Sequence, residues 1–431
     1  MPFESENPEH AIYDRRESEV RSYCRAFPIS FDTAKGSRLI AEDGSEYIDF
    51  LAGCSTLNYG HNHDDLQKAL IDYITSDGLT HGLDMHSAAK ATFLNAFEQH
   101  IMKPRNLDYR LMFPGPTGTN AVEAAMKTAR KATGRTNIIA FTNGFHGMTL
   151  GALAATGNAG KRGGAGIPLA GVVHEAYDGY FGPDIDTAEQ LDIRLSDPSS
   201  GLDAPAAFLI ETTQGEGGLN VASDAWLRKI AKIAKKHGAL LIIDDIQAGI
   251  GRTGGFFSFE RAGISPDIIT LAKSLSGMGL PFAMTMIKPQ YDDWKPGEHN
   301  GTFRGNNHAF ITAAKSIELF WSDERFETEV MRKSALLEKR LEAIVATSPI
   351  ANRTKGRGMM KGIEFLNGDL TSEICAKCFE NGLVIETSGA HDEVIKVLCP
   401  LTITDEDLNE GLDILSKAII EIEKSYAKTA A

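Results

Sequence analysis

The sequence lacks any long apolar run. No window approaches the roughly 20 consecutive apolar residues that a membrane-spanning helix requires. The opening stretch, MPFESENPEHAIYDRRESEVR, has no apolar segment behind a basic region, although a secretory signal needs one. The sequence therefore predicts neither a membrane protein nor a secreted one.

Basic residues and cysteines are also scarce. Lys and Arg total 44 against 58 Asp and Glu, which gives a formal charge of -14. This balance argues against nucleic acid or an anionic membrane as the main partner, because both require clustered positive charge. The five cysteines are odd in number and scattered, a pattern typical of free thiols in a reducing compartment. We therefore expect a cytoplasmic protein.

What is present is the material of a large α/β protein. Short apolar runs alternate with helical patterns, which is typical of βαβ units and a mostly parallel sheet with helices on both faces. In AWLRKIAKIAKKHG, apolar residues recur with helical spacing up to Gly238, which predicts a helix. The predicted buried strands are 137–141, 206–211, 239–245, 267–273 and 283–287.

The chain is too long for a single core. At 431 residues it is expected to form two or more lobes. From about Phe326 the pattern changes to long amphipathic helices and a few short strands, which predicts a smaller α+β domain. We predict a large domain over 61–325, a small domain over 326–431, and a segment over 1–60 that packs with the small domain.

Asp244 ends one of the predicted strands, in ALLIIDDIQAGIGRTG. A buried carboxylate needs a partner, and a pyridinium nitrogen is such a partner, because the carboxylate keeps the ring protonated and able to accept electrons. A capping or metal-binding pair formed by Asp244 and Asp245 explains the segment equally well. This segment alone leaves both interpretations open.

Lys273 ends another predicted strand, in DIITLAKSLSGMGLP. Such a lysine is either a surface residue or a nucleophile whose pKa is lowered by desolvation, as imine chemistry requires. Ligands of parallel sheets bind beyond the carboxyl ends of the strands, so Lys273 and Asp244 are expected to meet. Together they fit a cofactor aldehyde better than a structural role.

The segments DDIQAGIGRTG and AKSLSG resemble the signature of the class III, or ornithine/GABA-type, aminotransferases. These enzymes have the PLP-dependent transferase fold type I and bind pyridoxal 5'-phosphate, and the resemblance covers nearly the whole chain. It implies that Asp244 pairs with the pyridine nitrogen and that Gln247 contacts the phenolic oxygen. It also implies that Lys273 holds the cofactor as a Schiff base and then moves the substrate proton, so that Lys273 and Asp244 are the catalytic residues.

Three further segments carry cofactor contacts that the same resemblance implies. In TGTNAVEAAMKTARKATG, a turn leads into a helix whose first N–H groups attract an anion, and Gly118 and Thr119 are the implied phosphate contacts. In GFHG, Phe145 is implied to stack on the ring beside His146, and ETTQGEGG contributes Glu211. Simple N-capping and core packing are the structural alternatives for the first two segments.

A sixth segment, HNGTFRGNNHAF, resembles the part of these enzymes that crosses a subunit interface. The resemblance implies that Thr302 bonds the cofactor phosphate of the neighbouring subunit. It therefore implies a homodimer or a higher homo-oligomer with shared active sites.

The substrate contacts are implied by the motif that resembles E-P-x-Q-G-E. In relatives its second glutamate, here Glu216, pairs with a C-terminal arginine, but Lys396 stands at that position in this chain. A lysine supplies positive charge without the planar fork that binds a carboxylate twice. Arg25 and Arg304 are alternative cations for the substrate carboxylate. Cys54 occupies a position that carries a larger, substrate-facing side chain in ornithine-type relatives.

The segments ESEVRSYCRAFPISFDTAKGS and FLAGCSTLNYGHNH are similar to those of the diaminobutyrate–2-oxoglutarate aminotransferases of ectoine biosynthesis. This similarity implies amino transfer from L-glutamate to L-aspartate 4-semialdehyde, giving L-2,4-diaminobutyrate and 2-oxoglutarate. Other ω-aminotransferases, of the ornithine, acetylornithine or GABA type, and a PLP aminomutase or racemase share the same cofactor motifs and remain alternatives. The family carries a turn like GHNHDD without metal, so no metal site is predicted.

Overall fold

The structure is a computed structural model that describes residues 11–429. Its strands are β1 (Phe31–Lys35), β2 (Arg38–Ala41), β3 (Glu46–Asp49), β4 (Arg110–Met112), β5 (Ile138–Phe141), β6 (Val172–Glu175), β7 (Ala207–Ile210), β8 (Thr213–Gln214), β9 (Asn220–Val221), β10 (Leu240–Asp244), β11 (Ile268–Leu271), β12 (Met284–Ile287), β13 (Ala351–Arg357), β14 (Met360–Phe365), β15 (Leu383–Val384), β16 (Glu386–Ser388) and β17 (Val394–Val397). Its helices are α1 (Ala11–Arg16), α2 (Tyr23–Ala26), α3 (Ala52–Ser55), α4 (Asp64–Thr75), α5 (Ala88–Phe97), α6 (Gly118–Thr133), α7 (Leu150–Ala155), α8 (Ala159–Gly163), α9 (Thr187–Ser196), α10 (Asp224–Lys236), α11 (Asn307–Phe320), α12 (Arg325–Thr347), α13 (Gly368–Glu380) and α14 (Asp405–Thr429).

The central sheet has seven strands in the order β4-β12-β11-β10-β7-β5-β6. The strands β11, β10, β7, β5 and β6 pair in parallel, and β12 runs antiparallel to both of its neighbours. The five strands predicted from the sequence are confirmed as β5, β7, β10, β11 and β12, each shorter than predicted. The predicted helix is α10, which ends two residues before Gly238, a glycine with positive φ.

Helices cover both faces of this sheet. Alternate residues of each strand point to opposite faces, so each strand packs against helices on both sides. On β5, Ile138 and Ala140 pack in one apolar cluster with Val122 of α6. The intervening Ile139 packs on the other side in a cluster with Ile230 of α10. A strand buried on both faces has a continuous apolar sequence, which explains why these strands could be predicted.

A second apolar core is built from the C-terminal part of the chain. It contains residues of α12, β14, α13, β17 and α14, and it also takes in Ile48 and Phe50 from the N-terminal part. The strand β3 joins it by pairing in parallel with β15. The division into 1–60, 61–325 and 326–431 stays a prediction; residues 1–10 and 430–431 lie outside the described part.

Arg252 lies fully buried between the two cores. Its guanidinium donates to the carbonyl oxygens of Met359, at 3.1 Å, and Cys399, at 2.6 Å, and to Asn58 Oδ1 at 2.6 Å. Burial lowers the pKa of Arg252 to about 10, so the group stays charged at neutral pH. One cation therefore ties three distant segments of the chain together.

No helix within residues 11–429 combines the length and the apolar character that crossing a bilayer demands.

Candidate active site

A cavity of about 490 Å³ lies at the carboxyl edge of the central sheet. The turns that follow β5, β10 and β11 meet there, together with the first turn of α6. Convergence at this edge is expected for parallel strands. The predicted residues that line it are Gly118, Thr119, Phe145, His146, Glu211, Glu216, Asp244, Gln247 and Lys273.

Lys273 reaches the cavity from the end of β11, where it begins a 3₁₀ turn that ends at Ser276. Its φ is +50°, a left-handed conformation that residues other than glycine rarely adopt. Such strain is concentrated at functional sites. Burial lowers the pKa of the Lys273 ammonium, which favours the neutral amine required for nucleophilic or base chemistry.

Asp244 is the last residue of β10 and is buried beside the cavity. Its Oδ2 lies 2.7 Å from His146 Nδ1, and its Oδ1 accepts a hydrogen bond of 3.0 Å from Thr270 Oγ1. Burial alone would lower the pKa of His146, but the hydrogen bond and the charge of Asp244 raise it. His146 and Thr270 thus fix the orientation of the Asp244 carboxylate. The sequence offered no sign of Thr270, a threonine inside an apolar strand.

Glu211 fixes the loop that carries Phe145. Its Oε2 accepts a hydrogen bond of 2.8 Å from the backbone N–H of Phe145. Burial, with a further contribution from the charge of Asp244, raises the pKa of Glu211 to about 7. A carboxyl group of this kind supports the loop without adding a full negative charge to the site.

The first turn of α6 faces the cavity with its backbone N–H groups. Thr117 and Asn120 form a capping box, and Asn120 stands where the resembling family often has glutamate. The first N–H groups of a helix have no partner within the helix, so those of Gly118 and Thr119 are suited to an anion. A Cβ on Gly118 would lie 3.0 Å from Ile246 Cδ1, so the turn packs closely against the cavity wall.

Lys396 meets the cavity through Glu216, which lines it. Its side chain is 0% exposed, and its Nζ lies 2.8 Å from Glu216 Oε1 and 3.0 Å from Glu386 Oε1. Burial opposes the charged form, yet the two carboxylates raise the pKa of Lys396. The charges of Lys396 and Lys273 likewise lower the pKa of Glu216 against the effect of burial. Sequence reasoning missed Glu386, because no motif marks it.

Gln247 and Cys54 link this cluster to the N-terminal part of the chain. Gln247 Nε2 donates to Glu216 Oε1 at 3.1 Å and to the backbone oxygen of Cys54 at 3.2 Å. Cys54 Sγ lies 2.9 Å from the hydroxyl of Tyr23 and 3.6 Å from Glu386 Oε1. Burial raises the pKa of Cys54 to about 11, so its thiol is neutral at physiological pH.

Five predicted residues do not line the cavity, namely Cys54, Lys396, Arg25, Arg304 and Thr302, although the first two contact residues that do. The guanidinium of Arg25 is turned to the surface, where its Nη2 lies 2.5 Å from Glu19 Oε2; Lys396 is instead the cation that meets Glu216. Thr302 is exposed, as a residue directed at another subunit would be.

Among residues 11–429, no group of three or more His, Cys, Asp or Glu side chains is arranged to hold a metal ion. Cys375 and Cys378 lie on α13, and all five cysteines are free thiols.

The cavity offers a matching group to each part of pyridoxal 5'-phosphate. Asp244 suits the ring nitrogen, Phe145 the face of the ring, the first turn of α6 the phosphate, and Lys273 the aldehyde. Gln247 Oε1 is buried and has no hydrogen-bond partner in the described part of the chain. This oxygen packs against Gly215, so it is the chemistry of the groups that line the cavity that fits the cofactor.

Solved structures similar to this one are aminotransferases. The ornithine aminotransferase of Toxoplasma gondii ME49 superposes with a TM-score of 0.84 at 26% identity, covering 97% of this chain and 95% of its own. A second structure of the Toxoplasma gondii enzyme, described with partial occupancy of PLP at its active site, has a TM-score of 0.84 at 27% identity, over 98% and 96% of the two chains. These structures share the α/β fold with its large, mostly parallel sheet.

Comparison of sequences is more specific. The diaminobutyrate–2-oxoglutarate transaminase of Vibrio cholerae is 56% identical over 95% of this chain and 100% of its own length. The enzyme of the same name from Halomonas elongata is 55% identical over 94% of this chain and 97% of its own. The model of the family "Aminotransferase class-III" matches residues 21–419. Members of this family depend on pyridoxal 5'-phosphate, act on small molecules and are generally oligomeric. The chain belongs to the class III aminotransferases.

Proposed function

We propose that the protein transfers an amino group from L-glutamate to L-aspartate 4-semialdehyde, giving L-2,4-diaminobutyrate and 2-oxoglutarate, with pyridoxal 5'-phosphate as cofactor. The observation that carries the proposal is the meeting of Lys273 and Asp244 in one cavity. The choice of substrates is supported by relatives at 53% identity or more over nearly the whole chain, which are named for this reaction.

When bound, the cofactor supplies an aldehyde that takes up the amino group and a protonated ring that accepts electrons from the substrate Cα. Lys273 Nζ is the group that would hold the aldehyde. Its lowered pKa leaves the freed amine able to remove the proton from the substrate Cα. Asp244, fixed by His146 and Thr270, would keep a proton on the ring nitrogen.

The remaining contacts bind and orient. Gly118 and Thr119 would hold the phosphate through their backbone N–H groups, and Phe145 would stack on the ring. His146 acts by orienting Asp244, and Glu211 by holding the backbone of Phe145. Gln247, which lines the cavity, would contact the phenolic oxygen of the ring.

The pair of Glu216 and Lys396 would serve the two substrates in turn. L-Glutamate has a carboxylate on its reacting carbon, and this carboxylate would replace Glu216 as a partner of Lys396. The semialdehyde has no carboxylate on its reacting carbon, so the ion pair between Glu216 and Lys396 would remain formed. Lys396 supplies the charge but not the bidentate fork of an arginine.

L-Glutamate alone is expected to release one equivalent of 2-oxoglutarate per active site, because an aminotransferase completes its first half-reaction without an acceptor. Rapid mixing followed by assay of 2-oxoglutarate measures this yield. A racemase or aminomutase would instead convert the single amino acid catalytically and release no oxo acid, and that outcome would exclude the proposal.

With glutamate as donor, kcat/KM for L-aspartate 4-semialdehyde is expected to exceed that for succinate semialdehyde, glutamate semialdehyde and N-acetylglutamate semialdehyde by at least about 10-fold. The assay is formation of 2-oxoglutarate with each aldehyde in parallel. A preference for one of the other aldehydes would assign the chain to the GABA, ornithine or acetylornithine type.

The active enzyme is proposed to be a cytoplasmic homodimer or a higher homo-oligomer with shared active sites. Free cysteines support the compartment. Exposed Thr302 and Phe303, the latter 67% exposed, support a subunit contact at this loop. Sedimentation with activity assays of each species is the test, and a fully active monomer would contradict shared sites.

A further inference from the structure

Lys396 has one partner that is fixed by the sheet and one that is not. Glu386 of β16 and Lys396 of β17 are directly opposite residues of an antiparallel strand pair, with Oε1 and Nζ 3.0 Å apart. Glu216 comes from a separate loop after β8, between Gly215 and Gly217. A movement of this loop would therefore break one ion pair and leave the other intact.

The three side chains carry an excess of negative charge. Two carboxylates share one ammonium group, which gives a net charge of about -1 when all three are ionised. Lys396 is 0% exposed and Glu386 only 12% exposed. Charges shielded from water interact much more strongly than charges on the surface. The excess negative charge therefore attracts a cationic ligand and repels an anionic one in the neighbouring cavity, which Glu216 lines.

We propose that Glu386, paired with Lys396, is a specificity-determining residue whose charge favours diamino monocarboxylate substrates over dicarboxylate substrates. The inference rests on the proposed function, since it concerns the balance between its amine product and its amino donor. L-2,4-Diaminobutyrate has a net charge of +1 with both amines protonated, whereas L-glutamate has a net charge of -1.

The two substrates respond to Glu386 with opposite sign. When the glutamate carboxylate replaces Glu216 at Lys396, the displaced Glu216 stays nearby, so three carboxylates surround one ammonium. Removing the charge of Glu386 relieves this repulsion and strengthens the binding of glutamate. The same change removes an attraction for the cationic diamine. A loss of packing alone would weaken both substrates.

The experiment compares the holoenzyme with Glu386→Gln, which keeps an oxygen acceptor for Lys396. We expect the ratio of kcat/KM for glutamate to kcat/KM for the diamine to rise about 10-fold. Each kcat/KM is measured in a separate half-reaction, with glutamate, L-2,4-diaminobutyrate or L-ornithine as the amino donor. Calorimetry with glutarate, a dicarboxylate that cannot react, is expected to show binding about 10-fold tighter. Glu386→Asp keeps the charge and is expected to keep the wild-type ratio.

Two further variants separate charge from structure. Glu364 lies on β14 of the same sheet, and its Oε2 is 3.0 Å from Arg353 Nη2; Glu364→Gln is expected to leave the ratio unchanged. Lys396→Gln is expected to raise KM for glutamate, because it removes the cation that would meet the substrate carboxylate.

An unchanged ratio in Glu386→Gln, or an equal loss with both substrates, would overturn the inference. Failure of the proposed function would look different: the wild-type enzyme would use L-ornithine in preference to L-2,4-diaminobutyrate. The ratio would then be measured with the preferred diamine, so that Glu386 is tested in either case.

Discussion

Replacement of Lys273 by alanine is expected to lower kcat by about 10⁴-fold or more, because the side chain is proposed both to hold the cofactor and to move the substrate proton. General base catalysis alone contributes about 10²–10⁴-fold, and the loss of covalent attachment adds to this. The measurement is the single-turnover release of 2-oxoglutarate from glutamate. Borohydride treatment is expected to fix the cofactor to the wild-type protein and not to Lys273→Ala.

Lys288 provides the matched control. It follows β12, which runs antiparallel to β11, so it lies at the opposite edge of the sheet, with Nζ 3.0 Å from Asp267 Oδ1. Lys288→Ala is expected to keep kcat within about 3-fold of wild type. Retention of activity in Lys273→Ala, with the cofactor still fixed by borohydride, would show that another amine holds it.

Asp244→Asn is expected to lower kcat by about 10³-fold. The neutral amide no longer holds a proton on the ring nitrogen, so electrons from the substrate Cα lose their acceptor. A single preorganised charge or dipole in an active site is typically worth about 10²–10³-fold in rate. Glutamate half-reaction rates measure the loss. The pKa of His146 should also fall, since the charge that raises it is gone.

Asp245→Asn is the control for burial of a carboxylate at this strand end. Asp245 is fully buried, and its Oδ2 accepts a hydrogen bond of 3.0 Å from the backbone N–H of Ser258. Burial raises the pKa of Asp245 to about 7, so a neutral amide is a close substitute. We expect a loss of less than about 10-fold; equal losses in both variants would mean that Asp244 has only a structural role.

The strand ends were predictable because their signal is local. Uninterrupted apolar runs mark strands buried on both faces, and a polar residue that ends such a run reaches the carboxyl edge of the sheet. Lys273 and Asp244 both belong to this class. The strands themselves are shorter than predicted: each begins one residue later, and β7, β10 and β11 also end one or two residues earlier.

The charge cluster was only half predictable. Lys396 was found through the position where relatives carry an arginine, but Glu386 becomes its partner through the register of β16 against β17. Register depends on the connecting turn and on packing, and neither is encoded in the spacing of charged residues.

The N-terminal segment shows the same limit. Tyr23 and Arg25 lie two residues apart on the short helix α2, yet Tyr23 contacts Cys54 and Arg25 pairs with Glu19. A helix places such residues on different sides, and only the tertiary position of α2 decides which side meets the site.

The buried guanidinium of Arg252 has a consequence for how the protein denatures. Separation of the two cores would strand a cation and three oxygen acceptors, those of Met359, Cys399 and Asn58, and each unsatisfied buried group costs roughly 1–3 kcal/mol. An intermediate in which one core is unfolded and the other is intact is therefore disfavoured. Both cores should therefore unfold in one cooperative transition on heating or in urea.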